Sequence, residues 1–172
     1  MTMKIAGLVF VICASSWTGF RMANALRSKC QMIEQLLTAM QILYQEIVVC
    51  ATPLPQAFAI VSVSSKGDIR LLFSEISKRL DQTRWLTPCA AMTACLDTIP
   101  SLINETEICD LLINFASAIG KYDRDAQKIT IDQSKIRLET MRMQAEQNRS
   151  MKSKSYKVLG ICTGLSVAIL LL

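Results

Sequence analysis

The sequence predicts an all-α protein, a small bundle of about six helices between an N-terminal and a C-terminal transmembrane helix. Three observations carry that reading. Ile5–Phe20 and Val158–Leu172 carry no charge, and no other stretch of the 172 residues is comparably apolar. Between them, apolar residues recur at i, i+3, i+4 and i+7, the stripe of an amphipathic helix. No alternation of apolar and polar residues is long enough for a useful strand. The Val-Ser alternation at Ile60–Ser64 is short and sits in helical surroundings.

The first charge-free segment spans about 24 Å as a helix and the second about 22 Å, against about 30 Å of hydrocarbon. Both are short, so each borrows flanking residues or thins the bilayer locally. A cleaved signal peptide is the rival reading of the first, with Lys4 as a basic start and Ala14, Ser15 and Ser16 as a small-residue site. The basic cluster from Arg21 and the second apolar segment favour a retained span.

From Cys30 to Val49 the stripe is Ile33, Leu36, Leu37, Met40, Leu43, Tyr44 and Ile47. Ala51 to Pro55 breaks it. Thr52 is expected to cap a second helix, with Pro53 at its first position, where a missing N–H costs nothing. Ala57, Phe58, Ile60 and Val61 continue that helix until Ser64, Ser65, Lys66 and Gly67 end it. Asp68 is expected to cap a third helix through Leu80, with Ile69, Leu72, Phe73, Ile76 and Leu80 on one face.

Thr87 and Pro88 repeat the cap-then-proline device before a fourth helix, Pro88–Leu96, and Ile99-Pro100 punctuates. Asn104 with Glu107 resembles a capping box for a fifth helix. Its stripe is Ile108, Leu111, Leu112, Phe115 and Ile119, with Gly120 where a C′ glycine belongs. The last helix is expected near Asp123, capped by that residue, and meets neither Gly nor Pro before Gly160. Its thin stripe is Ile129, Ile136, Leu138, Met141 and Met143, read as core packing, with a partner helix as the alternative. The organisation is therefore a first span over 1–22, a helical domain over 23–156 and a second span over 157–172.

Charge sets the orientation. The net charge is +5, from 19 Lys and Arg against 14 Asp and Glu. Arg21, Arg27 and Lys29 follow the first apolar segment, and Arg149, Lys152, Lys154 and Lys157 precede the second, with no acid among either group. Between these flanks stand 11 basic and 14 acidic residues, so the domain itself is mildly acidic. A nucleic-acid binder needs a basic stripe on its folded domain, and none is expected here. Basic residues at two membrane borders instead match the positive-inside rule, with Arg21–Lys157 on the cytoplasmic side.

Chemistry is sparse. His is absent, which excludes Ser-His-Asp and Cys-His catalysis and imidazole zinc sites. No phosphate loop, nucleophile elbow or EF-hand loop occurs. Asp123 and Asp125 stand at a helix start, where capping and the helix dipole explain them better than a metal does. Ser and Lys residues over 150–157 read as facing solvent or lipid headgroups rather than as a catalytic dyad. Five cysteines lie between the flanks, without a C-x-x-C, and read as small buried hydrophobes in a reducing compartment. An enzyme is not expected, and no cofactor or metal.

The start of the chain, ending in Ser16, Trp17, Thr18, Gly19 and Phe20, resembles the N-terminal span of the stage III sporulation protein AB family of endospore-forming bacteria. Residues Ala39–Ile47, then Ala51, Thr52, Pro53, Leu54 and Ala57, resemble that family's first helix and turn. Phe115–Gly120, with Asp123 and Gln127, resembles its later half. The order and spacing of these motifs cover the chain; only Ser64–Asn104 carries none.

The resemblance implies a domain similar to the cytoplasmic domain of the inner-membrane platform protein, the F component, of type II secretion and type IV pilus machines. It implies a non-catalytic platform in the channel between mother cell and forespore. Its expected partners are a cytoplasmic ATPase (stage III sporulation protein AA), ring components of the channel and membrane lipid. Platform proteins usually carry two such domains and three spans; a homo-oligomer would compensate for the single domain here. Among the matched positions Thr52, Pro53, Leu54, Gly120 and Asp123 have structural roles first, and Glu46 and Gln127 are the candidate partner contacts. The alternative is an exported, C-terminally anchored helical interaction module; a small membrane-disrupting protein is disfavoured by the large structured middle.

Overall fold

A computed structural model describes residues 24–83, 85–120 and 124–171, with side chains described from 125 to 151 in the last stretch. Seven helices and no strand lie among these residues. They are α1 (24–43, prolonged by a π-helical turn Tyr44–Val49), α2 (Leu54–Ser64), α3 (Gly67–Gln82), α4 (Pro88–Leu96), α5 (Pro100–Ile103), α6 (Thr106–Ile119) and α7 (Arg124–Leu171). The chain divides into two compact units. Residues 32–140 form one, and the other joins the stretch before Met32 to the stretch from Met141 onward.

The 32–140 unit is built on the stripes that the spacing predicts. Ile33, Leu36, Met40, Leu43 and Ile47 of the first helix are buried, and Leu37 and Tyr44 are half-buried. In α6 Ile108, Leu111, Leu112, Phe115 and Ile119 are all buried. α2 and α3 form a hairpin and pack extensively on each other. Phe58 stacks on Phe73 between them, with ring centroids 5.8 Å apart. The Ser77 hydroxyl donates to the Pro55 carbonyl at 2.7 Å, tying the end of α3 to the start of α2. α4 packs on α3 and α6, and α5 is a short turn against α6 that the spacing does not announce.

Several caps differ from expectation. Pro53 itself is the N-cap of α2, and Leu54 and Pro55 open the helix; Thr52 makes no side-chain cap. Asp68 lies in the first turn of α3, where its charge suits the positive end of the helix, but it is not the cap. Lys66 holds that position, and Gly67 turns the chain with φ +55°, a conformation natural to glycine. Asn104 ends α5 rather than opening α6, whose N-cap position is held by Glu105 with no capping bond from its side chain. Thr87 behaves as predicted: its hydroxyl accepts from the Ala90 N–H at 3.2 Å.

Gly120 ends α6 at φ −70°, so the left-handed freedom of a C′ glycine is not used. What it supplies is room, because a Cβ there would lie 3.3 Å from Cδ of Pro88. Asp123 lies outside the described residues, as do Arg21 and the whole of Ile5–Phe20. The expectation of one long last helix is met: α7 runs unbroken for 48 residues, through the backbone of Lys152, Lys154 and Lys157. Among the described residues no helix is long and apolar enough to cross a membrane.

Candidate interaction surface

The junction between α1 and α2 is the most unusual piece of backbone. The π-helical turn admits an extra residue into the helix, and such turns gather at functional positions. Cys50 N–H closes on the Gln45 carbonyl at 3.0 Å and Thr52 N–H on the Glu46 carbonyl at 2.8 Å. Ala51 between them has φ +57°, a left-handed conformation that a Cβ disfavours. The Thr52 hydroxyl then donates to Glu46 Oε2 at 2.7 Å, so this pair fastens the junction from the side.

Glu46 is thus half-buried and engaged rather than on a free exposed face. Gln127, half-buried in the first turns of α7, donates its Nε2 to the Ile119 carbonyl at 3.0 Å. It satisfies one of the orphan carbonyls at the end of α6, bridging the link that contains Asp123. Both candidate contacts therefore have a structural duty. Of the basic flanks, Arg27 and Arg149 are exposed and Lys29 is half-buried. The side chains of Lys152, Lys154 and Lys157 lie outside the described ones.

What the stripes leave outside is apolar in several places. Trp85, between α3 and α4, is 91% exposed, and Val63 on α2 is 80% exposed. Ile60 and Leu71 are exposed on the same hairpin, and Val49 on the π-helical turn. Isolated exposed apolar residues are ordinary, but an exposed tryptophan is a favoured anchor in protein interfaces. Trp85 was not flagged by the helical stripes because it belongs to no helix. Lys135 Nζ of α7 lies 5.7 Å from the centre of the Tyr44 ring, linking α7 to the π-helical turn.

The stripe predicted for α7 divides. Leu138 and Met141 are buried, together with Ile131 and Ala145, whereas Ile129, Ile136 and Met143 are exposed. The five described cysteines are free thiols. Cys30 and Cys95 are buried as expected, Cys89 and Cys109 are half-buried, and Cys50 is exposed, contrary to the expectation of burial. Burial pushes the Cys95 thiol up, against a smaller opposing pull from Arg79. Cys109 is pushed up by burial and then by Asp110, Asp97 and Glu105. Among the described residues no group of acids and cysteines could hold a metal ion.

Fold and surface together define a class: an all-α bundle prolonged by a long C-terminal helix and carrying exposed apolar residues as its distinctive surface. Residues 4–172 match the family described as stage III sporulation protein AB, and the chain belongs to that family. Its role accordingly lies in sporulation. The chain is 31% identical to the stage III sporulation protein AB of Bacillus subtilis (strain 168), over 99% of either chain. It is also similar to a solved structure of a stage III sporulation protein AB. That structure is 26% identical, with a TM-score of 0.64, over 72% of this chain and 98% of the other.

Proposed function

We propose that the protein is a non-enzymatic platform in the membrane of the mother cell around the forespore. Its helical domain faces the cytoplasm and couples a cytoplasmic ATPase to the membrane-spanning parts of the channel. The family match over residues 4–172 carries this reading. The mildly acidic domain between two basic flanks supports the orientation. α7 supports the coupling, since its helix runs without a break from Arg124 to Leu171, into the apolar C-terminal segment.

Within this reading the two charge-free segments are the spans, and the basic residues from Arg21 to Lys29 and from Arg149 to Lys157 meet lipid headgroups. Trp85 and the exposed residues of the α2–α3 hairpin offer the docking surface for the ATPase. A contact through Glu46 or Gln127 would compete with the hydrogen bond each already makes.

Reporters fused after Lys29 and before Met151 test the orientation: both are expected to report the cytoplasm. If both report the opposite side, the exported, C-terminally anchored module is the correct reading. Co-purification of the full chain with the stage III sporulation protein AA ATPase tests the coupling, and its absence in a detergent extract that retains both proteins counts against the platform.

A further inference from the structure

The residues of α7 fall on two opposite rows. Ile131, Ser134, Leu138, Met141 and Ala145 alternate by three and four residues, and all are buried. Ile129, Ile136 and Met143 recur every seven residues and are 56%, 65% and 54% exposed. At 3.6 residues per turn, two residues are about 200° apart, so each outer residue stands across the helix from the inner row. The packing that covers the inner row therefore leaves the outer one uncovered.

A seven-residue apolar repeat is the pattern by which one helix pairs in register with another. The charges beside this one give the pairing a direction. Asp125, Asp132, Glu139 and Glu146 form a row on one side, each three residues beyond or four before an outer-row position. On the other side, one residue after each outer-row position, stand Thr130, Arg137 and Gln144. Two copies of α7 running parallel set Asp132 against the second copy's Arg137, twice by symmetry. Two antiparallel copies set the acid rows against each other. Parallel pairing is favoured on charge alone.

We propose that the outer row of α7 is a self-association seam, filled by α7 of a second copy of this chain running in parallel. Gln133 and Thr140 occupy the seam positions that alternate with the outer row, where a strong zipper has apolar residues. The contact is therefore weak and reversible, suited to copies that are already held side by side. It does not depend on the ATPase or on the membrane orientation.

Cysteine cross-linking of the full chain in a detergent extract tests it. Ile129→Cys and Ile136→Cys are each expected to give a disulfide dimer of twice the chain mass, several-fold above the wild-type chain with its native thiols. Lys128→Cys, off the seam, stays at the wild-type level. An antiparallel pair centred on one position cannot link both. In the Ile136→Cys background, Arg137→Glu is expected to lower the dimer yield several-fold, and adding Asp132→Lys to restore it.

These positions lie on the solvent side of the helix, and far-UV circular dichroism checks that each variant folds. Equal yields at positions 128 and 136 overturn the proposal. So does a cross-linked product whose mass is not twice that of the chain, or a yield indifferent to the charge swap.

Discussion

The carboxylate of Glu46 accepts a hydrogen bond from the hydroxyl of Thr52 at 2.7 Å, across six residues that include a π-helical turn and a left-handed alanine. The bond is half-buried and charge-assisted, so it is stronger than a neutral surface contact. Thr52→Val removes the donor at nearly constant volume. The expected cost is about 1 kcal/mol, read as a fall in the thermal midpoint of about 2–4 °C. Glu46→Gln keeps an acceptor and is expected to lose less. A midpoint unchanged by either substitution would show that the junction is held by its backbone bonds alone.

Ala51 holds φ +57° in the same junction. A left-handed residue with a Cβ costs about 1–2 kcal/mol, and glycine escapes that cost while adding freedom to the unfolded chain. Ala51→Gly is expected to stabilise the protein by a net of about 0.5 kcal/mol. Denaturant unfolding checks the sign, and a lower midpoint for the glycine variant contradicts it.

Trp85 touches little of its own fold, being almost fully exposed. Trp85→Ala is expected to change stability by no more than about 0.5 kcal/mol. Its effect belongs in the pull-down: recovery of the ATPase is expected to fall about tenfold, as for a buried aromatic anchor. By contrast, Phe58→Ala removes the ring stacked on Phe73 and is expected to cost about 3–5 kcal/mol. A Trp85 variant that binds as the parent does removes this loop from the docking surface.

The thiols order themselves by exposure and charge. Alkylation of the native chain is expected first at Cys50, which is exposed, and later at Cys95 and Cys109. The reactive form is the thiolate, so raised thiol values shift the pH at which these two react upward. The linked effect on stability has a definite sign. Folding favours the protonated thiol, so its contribution is present at neutral pH and is lost as pH rises beyond the ordinary thiol range through the raised values. Mass-resolved labelling at two alkaline pH values checks the order.

Much of the bundle could be read from residue spacing. α6 was legible throughout its inner face, because Ile108, Leu111, Leu112, Phe115 and Ile119 leave one geometric choice. α4 was legible at its start, since Thr87 before Pro88 admits few alternatives. The same pattern at Thr52 and Pro53 misled, because the Thr52 hydroxyl donates to a carboxylate six residues upstream instead of accepting from a helix N–H, and the helix opens one residue later, behind Pro53. Spacing within one helix does not reveal that competitor. Asn104 failed as a cap for a related reason: Pro100 had already begun a short helix that Asn104 closes.

On α7 the apolar residues were found, but assigning them to one stripe merged two faces. Leu138 and Met141 are covered, and Ile129, Ile136 and Met143 are not. Trp85, the most exposed large apolar side chain among the described residues, left no periodic signal at all. The candidate surface is therefore less legible than the core, since a core repeats and a loop does not.

The two compact units differ in how they are cut from the chain. Residues 32–140 are continuous, whereas the other unit takes one strand of sequence from before Met32 and another from after Thr140. During synthesis the continuous unit has all its residues as soon as Thr140 emerges. Its partner must wait for more than a hundred intervening residues before its two parts can meet, and closing so long a loop is slow. Assembly is thus expected to be vectorial, with the bundle formed first and the terminal unit last, so truncations beyond residue 140 should spare the bundle. Protease protection of ribosome-stalled chains ending before and after 141 would show it as two successive steps.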